Sequence, residues 1–502
     1  MKVLIANRGE IAVRIMRACR EMRLETVAVY SDCDRAAPHV RYADAAVALG
    51  GDAAADTYLR IDKLLDAARQ TGADALHPGY GFLAENADFS QACQDAGLCF
   101  VGPSPDVIAL MGGKTASRQA AIKAGIPVAP GTEGPLPDDA SDAELRHIGE
   151  GVGYPLFVKA VAGGGGRGMR LVQGPDELAH AVRGAASEAR AAFGSAAVYL
   201  ERSVERARHI EVQVLGDTHG QVVAFVEREC SIQRRHQKVI EETPSVAVST
   251  EMRRELASAS VALATNVGYF NAGTIEFLLG PTGQFFFLEM NTRLQVEHPV
   301  TEMVTGVDLV RWQLKIAQGE RLTGDMDTER LLKPRGHAIE CRIYAEDPDA
   351  DFMPCPGQIT HLRDPAGPGI RNDSGVDAGF EVPMYYDSMI SKLVAWGSDR
   401  SQAISRMTRA LEEYDVGGVK TTIPLFQWIL RESDFVEGRF DTTYLDHVLA
   451  ARDRTSLVTV PAEVEEAAVV AAAIGAYLKD GAARCQNPVA AWRRAARLEG
   501  LR

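Results

Sequence analysis

The sequence predicts an α/β protein that opens with a doubly wound parallel sheet. Lys2–Ala6 has the unbroken apolar character of a buried strand, and Glu10–Met22 has the apolar spacing of a helix. Glu25–Tyr30 is a second strand, so the three segments form a βαβ unit. Two further apolar runs, Ala73–His77 and Leu98–Val101, follow helical segments and predict additional strands. This alternation is typical of a parallel sheet covered by helices.

Two loops at the ends of these strands bear on function. The first, Asn7–Glu10, lacks the Gly-x-Gly-x-x-Gly pattern of dinucleotide-binding proteins. The second, His77–Asn86, contains glycines and a proline and follows a strand, where open α/β sheets bind ligands. Without further context, Tyr80 and Phe82 within it are better explained as residues that pack the loop.

Length, charge and cysteine content restrict the class of protein. A chain of 502 residues accommodates about two to four domains. Its formal net charge of −14 argues against a nucleic-acid partner. Eight cysteines without a Cys-x-x-Cys pair, and no secretory apolar segment, predict reduced thiols in the cytoplasm. The alanine-rich run Ala467–Leu478 is too short to span a bilayer, so we expect a packed helix and no membrane partner.

Two lysines are candidates for phosphate binding. Lys114 follows two glycines as in a P-loop, but Ile108 occupies a position at which that motif requires glycine, so the P-loop interpretation fails. The turn-rich segment 130–139 predicts a subdomain boundary. Lys159 then ends a short strand and is followed by five glycines within 163–168. Backbone N–H groups of such a loop can surround phosphate oxygens, so we favour a phosphate-binding lid over the alternative, a flexible linker.

The middle of the sequence predicts a hairpin with paired carboxylates. Thr274–Leu279 and the segment from Phe285 are strands, and a four-residue loop that pairs Gly280 with Phe285 sets Glu276 opposite Glu289. Like charges so placed destabilise a sheet unless a cation neutralises them. Oxygen ligands on strands suit Mg²⁺ that bridges phosphates, so a nucleotide–metal site is one interpretation. An exposed carboxylate-rich hairpin is the other.

A charged window, 227–238, precedes this hairpin. It ends in four basic residues, Arg234, Arg235, His236 and Lys238. A solvated face explains many such runs, but an anion site beside a metal site is a coherent alternative. Later segments predict the strand His337–Tyr344, a loop and strand over Val382–Val394, the helix Arg400–Glu413 and a helical tail from Pro461.

Taken together, these motifs resemble the biotin carboxylases, the ATP-grasp components of biotin-dependent carboxylases. Six segments carry the resemblance in the family's order and spacing: Ile5–Ala12, His77–Asn86, Lys159 with its glycine loop, Glu229–Lys238, Glu289–Pro299 and Tyr385–Met389. They span roughly residues 1–447, and six in sequence leave little room for chance. The tail resembles biotin carboxylase subunits of acyl-CoA carboxylases in its ending, Trp492-Arg-Arg.

The resemblance implies an ATP-grasp fold of the α/β (α+β) class with four regions. These would be an N-terminal doubly wound domain at 1–113, an ATP-grasp domain at 114–330 with a lid at about 131–203, a C-terminal biotin carboxylase domain at 331–447 and a helical extension at 448–502.

It also implies the ligands of each region. Residues expected around ATP are Lys114, Lys159, Gly164, Gly165, Gly166, Glu201, Val204, His209, Gln233, His236 and Leu278. Two Mg²⁺ or Mn²⁺ ions would be bound by Glu276, Glu289 and Asn291. Bicarbonate would be bound by Lys238, Arg293, Gln295 and the N–H group of Val296. Arg202 and Val204 stand where the family usually has lysine and leucine, which leaves the adenine contacts open.

The implied reaction begins with Glu297 as the base that takes the bicarbonate proton, so that bicarbonate attacks the γ-phosphate of ATP. The product, carboxyphosphate, would break down to CO₂ and phosphate, and phosphate would deprotonate biotin. Arg342 would stabilise the resulting enolate-like oxygen, and Tyr80 would contact biotin. An unbroken strand from Glu289 to Glu297 would cover about 26 Å, so the chain must bend after Asn291 if both ends serve one site.

The resemblance leaves the final carboxyl acceptor open among acetyl-CoA, propionyl-CoA, longer acyl-CoA and pyruvate. We expect the first half-reaction of an acyl-CoA carboxylase, such as the acetyl-CoA carboxylase of fatty acid synthesis, and keep pyruvate carboxylase as an alternative. No Ala-Met-Lys-Met motif occurs, so the biotin carrier and the carboxyltransferase are expected on other chains, with a homodimer of this one. Another ATP-grasp ligase with an acyl-phosphate intermediate, and an inactive nucleotide-binding scaffold, are the remaining alternatives.

Overall fold

The computed structural model describes residues 1–137, 139–161, 169–324, 326–452, 456–457 and 462–485. Residues 1–453 form one compact unit, and residues 454–502 form a second. In the second unit most of the described part is a helix, Ala462–Cys485, so the helix predicted at Ala467–Leu478 is confirmed. The expected packing of this helix is wrong, because its larger apolar side chains, such as Val469, Ile474 and Tyr477, are exposed. Pro461 and the Trp492-Arg-Arg ending lie outside the described residues.

The N-terminal region is a parallel sheet covered by helices, as predicted. Its elements are β1 Lys2–Ile5, α1 Gly9–Glu21, β2 Glu25–Tyr30, α2 Pro38–Tyr42, β3 Ala45–Ala48, α3 Ile61–Thr71, β4 Ala75–His77, α4 Ala87–Asp95 and β5 Cys99–Phe100. The strand order is β3-β2-β1-β4-β5, and the pairings are parallel. Val3, Leu4 and Ile5 are fully buried, which explains the unbroken apolar run of β1.

A smaller sheet with its own core follows two connecting helices. The connecting helices are α5 Pro105–Gly112 and α6 Lys114–Lys123, and the next elements are α7 Asp142–Val152, β6 Leu156–Ala160, β7 Met169–Val172, α8 Pro175–Phe193 and β8 Val198–Arg202. The strands pair in the antiparallel order β7-β6-β8. Ser141 and Glu144 form a capping box that starts α7. The helices pack on the sheet through a cluster that includes Leu145, Leu178 and Leu200.

The largest sheet runs through the rest of the first unit. Its strands are β9 Arg208–Gly216, β10 Val222–Ala224, β11 Arg228–Arg234, β12 Gln237–Thr243, β13 Asn271–Leu279, β14 Phe285–Asn291, β15 His337–Tyr344, β20 Ile370–Ser374 and β22 Met389–Gly397. The order is β14-β13-β9-β11-β12-β15-β22-β20, with β10 beside β9. Because β12 pairs with β15, one sheet crosses the predicted boundary at residue 330.

Helices and short strands complete the first unit. They are α9 Thr250–Asn266, α10 His298–Thr305, α11 Leu309–Ala317, α12 Thr328–Leu331, β16 Glu346–Asp347, β17 Met353–Pro354, β18 Gly357–Gln358, β19 His361–Arg363, β21 Glu381–Val382, α13 Arg400–Glu413, β23 Asp415–Gly417, α14 Ile423–Ile429, α15 Ser433–Val436 and α16 Tyr444–Ala451. Three-residue 3₁₀ turns lie at 32–34, 54–56 and 348–350. Phe277, Met290 and Leu263 belong to one buried hydrophobic cluster of this unit.

Candidate active site

The β13–β14 hairpin brings Glu276 and Glu289 into register, as the sequence predicts. The predicted turn is wrong by one residue, because Leu279, and not Gly280, pairs with Phe285. A β-bulge between Phe277 and Glu276 inserts one extra residue on β14, which restores the predicted pairing of the carboxylates. The paired acids therefore stand beside an irregularity that the alternating pattern does not reveal.

The chain bends after Asn291, which is the last residue of β14. Residues 292–297 are outside helix and strand, and α10 begins at His298. Glu85, from the loop after β4, holds this bend: one carboxylate oxygen accepts from the Thr292 N–H at 2.9 Å, and the other accepts from Arg293 Nε at 2.9 Å. The predicted bend is confirmed, and it turns the second half of the segment back toward the sheet.

Lys238 lies at the centre of the site and contacts three buried carboxylates. Its ammonium donates to Glu211 at 2.5 Å, to Glu297 at 2.6 Å and to Glu276 at 2.9 Å. Burial favours the neutral amine, but the three acids raise the pKa of Lys238 well above its ordinary value. Lys238 therefore remains a cation that links strands β9, β12 and β13 with the segment before α10.

Glu276 receives three further contacts. Asn291 Nδ2 donates to it at 2.9 Å, Gln295 Nε2 donates at 3.0 Å, and His209 Nε2 lies 3.1 Å away. Burial would raise the pKa of Glu276, but Lys238 and His209 lower it far below its ordinary value. Glu276 is therefore ionised and joins the two ends of the bent segment.

Glu297 is fully buried at the N-terminus of α10, between two cations. Lys238 donates to one of its oxygens, and Arg342 Nη2 donates to the other at 3.0 Å. Burial raises the pKa of a carboxyl, but Lys238, Arg342 and Arg228 together hold the pKa of Glu297 well below 4.5. Arg342 also donates through Nε to Glu241 at 2.6 Å. Glu297 is thus ionised and able to accept a proton.

The site holds side chains of the types that bind divalent cations. One ligand atom each of His209, Glu211 and Glu276 lies within 4.8 Å of the others. Across the hairpin, burial and the neighbouring Glu276 and Glu85 raise the pKa of Glu289, so a cation there would relieve like-charge repulsion. The predicted carboxylate pair therefore fits a metal, and Glu211 adds an acid to it.

The predicted phosphate-binding lysines lie on helix α6 and on the smaller sheet. Lys159 of β6 forms a buried ion pair with Glu201 of β8. Burial lowers the pKa of Lys114, against the attraction of Glu289. The glycines Gly164, Gly165 and Gly166 lie outside the described residues.

The other predicted nucleotide residues belong to the large sheet or its approach. Leu278 pairs with His209 in register, and Gln233 Nε2 lies 3.2 Å from His209 Nδ1. Val204 is half-buried, 3.6 Å from where a side chain at Gly280 would begin. His236 is exposed in the turn of the β11–β12 hairpin.

The basic cluster predicted at 234–238 is therefore divided. Lys238 points into the buried network described above. Arg235, exposed in the same turn as His236, pairs with Asp351, and Arg234 pairs with Glu346 at 3.0 Å. Both turn residues have positive φ, of 49° and 67°, as a two-residue hairpin turn requires. Alternation explains the division, because strand residues point to opposite faces.

The remaining predicted anion and biotin residues lie around the bend. Arg293 Nη1 donates to Gln295 Oε1 at 2.7 Å, and its Nη2 donates to Asn291 at 2.9 Å. Val296 accepts a hydrogen bond through its carbonyl from Lys392 at 2.7 Å. The Tyr80 hydroxyl donates to Glu10 of α1. The structure thus ties the loop after β4 to the N-terminal helix.

Three family models cover most of the chain. The model for the N-terminal domain of biotin carboxylase matches residues 1–108, the carbamoyl-phosphate synthase L chain ATP-binding domain matches 113–324, and the C-terminal domain of biotin carboxylase matches 340–447. A biotin carboxylase from a Nostoc strain is 52% identical over 447 residues, which is 89% of this chain and 99% of the relative. The chain belongs to the biotin carboxylase family.

Relatives from other kinds of carboxylase are also similar to this biotin carboxylase. A pyruvate carboxylase subunit from Methanothermobacter thermautotrophicus is 49% identical over 490 residues, which is 95% of this chain and 98% of the relative. A crystal structure of the biotin carboxylase domain dimer of Hydrogenobacter thermophilus 2-oxoglutarate carboxylase, with MgADP, ADP and bicarbonate, has a TM-score of 0.85 at 45% identity. It covers 92% of this chain and 99% of its own.

These matches confirm the predicted ATP-grasp fold, the ligase class and ATP as cofactor. The prediction of magnesium agrees with the MgADP complex of the relative. No helix in the described part of this biotin carboxylase is long and apolar enough to cross a membrane.

Sequence reasoning missed three acids of the site, Glu85, Glu211 and Glu241. For Glu211 a signal was present, because His209, Glu211 and Gln213 alternate with apolar residues on β9 and so share one polar face. That face borders Glu276 only through the pairing of β9 with β13, which a local pattern cannot supply. Glu85 and Glu241 reach the site through contacts between residues distant in sequence.

Proposed function

We propose that this biotin carboxylase carboxylates biotin on a separate carrier protein, with ATP and bicarbonate, through carboxyphosphate. The observation that carries the proposal is Glu297, a fully buried carboxylate between Lys238 and Arg342 and in one network with the metal-type ligand Glu276. A base, two cations and a carboxylate pair in one buried cluster are the parts that bicarbonate activation needs.

In this proposal bicarbonate is bound by Lys238, Arg293, Gln295 and the N–H group of Val296. The contact between Arg293 and Gln295 supports it, because that contact orients the guanidinium fork beside the bend. Bicarbonate would displace some of the contacts that Lys238 now makes with carboxylates. Sharing the ammonium with a second anion raises the pKa of Glu297, which makes it a stronger base once substrate is bound.

Glu276, Glu289 and Asn291 would hold Mg²⁺ or Mn²⁺, with two ions in our proposal. Divalent ions held there would supply positive charge for the phosphates of ATP. Asn291 is already oriented by its hydrogen bond to Glu276, and Glu289 supplies the opposing carboxylate.

The nucleotide would lie between the two antiparallel sheets. Lys114, Lys159 and the loop with Gly164, Gly165 and Gly166 would bind phosphates. The other nucleotide contacts would come from Glu201, Val204, His209, Gln233, His236 and Leu278. Residues 131–203 would form a lid, supported by the separate sheet and core of β6, β7 and β8. This lid would be part of the ATP-grasp domain at 114–330. The other proposed regions are the N-terminal domain at 1–113, the C-terminal biotin carboxylase domain at 331–447 and the helical extension at 448–502.

Carboxyphosphate would decompose to CO₂ and phosphate beside Arg342 and Tyr80. Phosphate would remove the ureido proton of biotin, and Arg342 would stabilise the oxygen that becomes negative. Its side chain is well placed because Glu241 fixes one edge of the guanidinium while Glu297 contacts another.

We further propose a cytoplasmic homodimer that works with a biotin carboxyl carrier protein and a carboxyltransferase on other chains. The preferred acceptor is an acyl-CoA, such as acetyl-CoA for fatty acid synthesis. Pyruvate is a second candidate, because the pyruvate carboxylase relative matches over 490 residues and so includes part of the tail beyond residue 450.

The test is purification of the full chain and measurement of ADP release with ATP, Mg²⁺, bicarbonate and free biotin or a biotinylated carrier. ADP release that requires bicarbonate and rises with biotin is expected. Bicarbonate-dependent cleavage that neither form of biotin stimulates would contradict the proposal. With co-purified carboxyltransferase, acetyl-CoA, propionyl-CoA and pyruvate are then compared, and turnover with pyruvate alone would replace the acyl-CoA assignment.

A further inference from the structure

Lys392 is a fully buried lysine that the reaction described above does not use. It lies on β22, opposite Arg342 of β15 on one side and Asp373 of β20 on the other. Its closest contact is a hydrogen bond of 2.7 Å to the carbonyl oxygen of Val296, and Glu10 lies 3.3 Å from the same ammonium. A buried ammonium is expensive to desolvate, so its partners identify what it does.

The bonded carbonyl belongs to the peptide group that joins Val296 to Glu297. Glu297 has φ −80° and ψ 13° at the N-terminus of α10, and residues 292–297 lack the ladder or helix bonds that fix regular backbone. A hydrogen bond from a rigid strand fixes the orientation of this peptide group. It therefore fixes the direction in which the Glu297 side chain leaves the backbone.

Glu10 extends the same contact to the loop after β4. The Tyr80 hydroxyl donates to the Glu10 oxygen that lies nearest Lys392, and the Tyr80 ring centre is 5.6 Å from the ammonium. One lysine thus contacts the segment that carries Glu297 and, through Glu10, the loop that carries Tyr80.

We propose that Lys392 is a positioning residue, which holds the Val296–Glu297 peptide in place for bicarbonate and couples it through Glu10 to the Tyr80 loop. This inference rests on the proposed function. In this role Lys392 binds no ligand itself. Its ammonium acts through the Val296–Glu297 peptide and through Glu10, and it makes no contact with the proposed nucleotide residues.

The test is Lys392→Met, which keeps the length of the side chain and removes the ammonium. We expect kcat/KM for bicarbonate to fall roughly ten- to hundredfold, with a raised KM for bicarbonate, because small displacements of a base cost that much. The KM for ATP should stay within about twofold of that of the unmodified chain, since uniform damage would change both constants.

Arg371→Met is the control, because Arg371 is a largely buried cation on the neighbouring strand whose hydrogen bonds go to Glu302 and Asp373 and not to Val296 or Glu10. It should lower the thermal midpoint and leave both KM values unchanged. A folded Lys392→Met enzyme with unchanged bicarbonate kinetics overturns the inference. So does a Lys392→Met enzyme in which the constants for ATP and bicarbonate change equally.

Glu10→Gln decides the question if Lys392→Met does not fold. The substituted amide keeps an acceptor for Tyr80 but weakens the hold on Lys392, so we expect the KM values for bicarbonate and for free biotin each to rise about threefold. Unchanged values for both overturn the inference. Absence of bicarbonate-dependent ATP cleavage in the unmodified chain would instead contradict the proposed function itself.

Discussion

Arg342 contacts two buried carboxylates that differ in charge. On one side Glu297 also bonds Lys238, and the cations hold its pKa well below 4.5 against the effect of burial. On the other side Glu241 has Arg342 as its bonded cation and borders Glu340 in register. Burial, together with the nearby Glu297, raises the pKa of Glu241 to about 7 although Arg342 lowers it.

The difference shows that a shared guanidinium does not make two acids equivalent. A second cation at 2.6 Å keeps Glu297 charged, whereas Glu241 and the fully buried Glu340 face each other. Among the described residues, both Glu340 oxygens and one Glu241 oxygen have no hydrogen-bond partner. Burial also raises the pKa of Glu340 well above 4.5, so this side is suited to neutral acids. The proposed base is therefore Glu297.

The largest effect is expected from Glu297→Gln, which removes the charged member of the pair. Biotin-dependent ADP release should fall about a thousandfold, since general-base catalysis contributes on that order. Glu241→Gln is the control, because the amide oxygen still accepts from Arg342. This variant removes the Glu241 carboxyl, which is suited to the neutral form, and leaves Glu297 in place. Equal losses in the two variants would show that the acids are equivalent and would break the comparison.

A smaller loss, about a hundredfold, is expected from Lys238→Met. Removing the ammonium raises the pKa values of Glu297 and Glu276, so the acidic limb of the pH–rate profile should move to higher pH and activity should partly recover in alkaline buffer. Lys238→Arg should rescue poorly, because a planar fork cannot replace one compact ammonium among three carboxylates. A pH profile that keeps its position in a folded Lys238→Met enzyme contradicts this account.

The smallest effect concerns stability rather than rate. The folded-state pKa of Glu241, about 7, is above its ordinary value of 4.5. The contribution of neutral Glu241 to stability is therefore complete below pH 4.5. It falls as the pH rises from 4.5 and is lost above about 7. The thermal midpoint of Glu241→Gln relative to the unmodified chain should thus rise by about 2 to 4 °C between pH 5.5 and 8.

The same scan on Glu297→Gln should show no such rise. Because the pKa of Glu297 is lowered in the folded state, ionised Glu297 contributes stability at pH values above its ordinary pKa of 4.5. This contribution is lost only when the pH falls below 4.5. Its midpoint difference should be flat between pH 5.5 and 8. Parallel curves for the two variants would mean that the carboxylates titrate alike.

Much of the fold follows from local patterns. The strands predicted at Glu25–Tyr30 and His337–Tyr344 and the helix at Arg400–Glu413 have the observed bounds, because each has clear apolar periodicity. The strands at Ala75–His77 and Cys99–Phe100 are shorter than predicted, since their apolar runs continue into the adjoining loops. Periodicity does not reveal which strands are neighbours, so the pairing of β12 with β15 could not be foreseen.

The site was predictable to the extent that its residues share one segment or one motif. Glu276 and Glu289 were found by hairpin register, although the predicted turn was wrong by one residue and a bulge that was not predicted compensated for it. The need for a bend came from strand length alone. Glu241, Glu85 and Lys392 were not found, because each meets its partner across strands or loops that only the tertiary fold brings together.

The contact between Glu10 and Lys392 also has a consequence for synthesis of the chain. The parallel sheet around α1 is complete once Phe100 has emerged, whereas Lys392 leaves the ribosome roughly 20 to 75 s after Glu10 at ordinary translation rates. In the complete fold, burial raises the pKa of Glu10 to about 7 even against the attraction of Lys392, so a protonated Glu10 needs no cation before Lys392 is made. The nascent N-terminal domain can therefore fold early, while the proposed reaction centre is completed only when β22 docks.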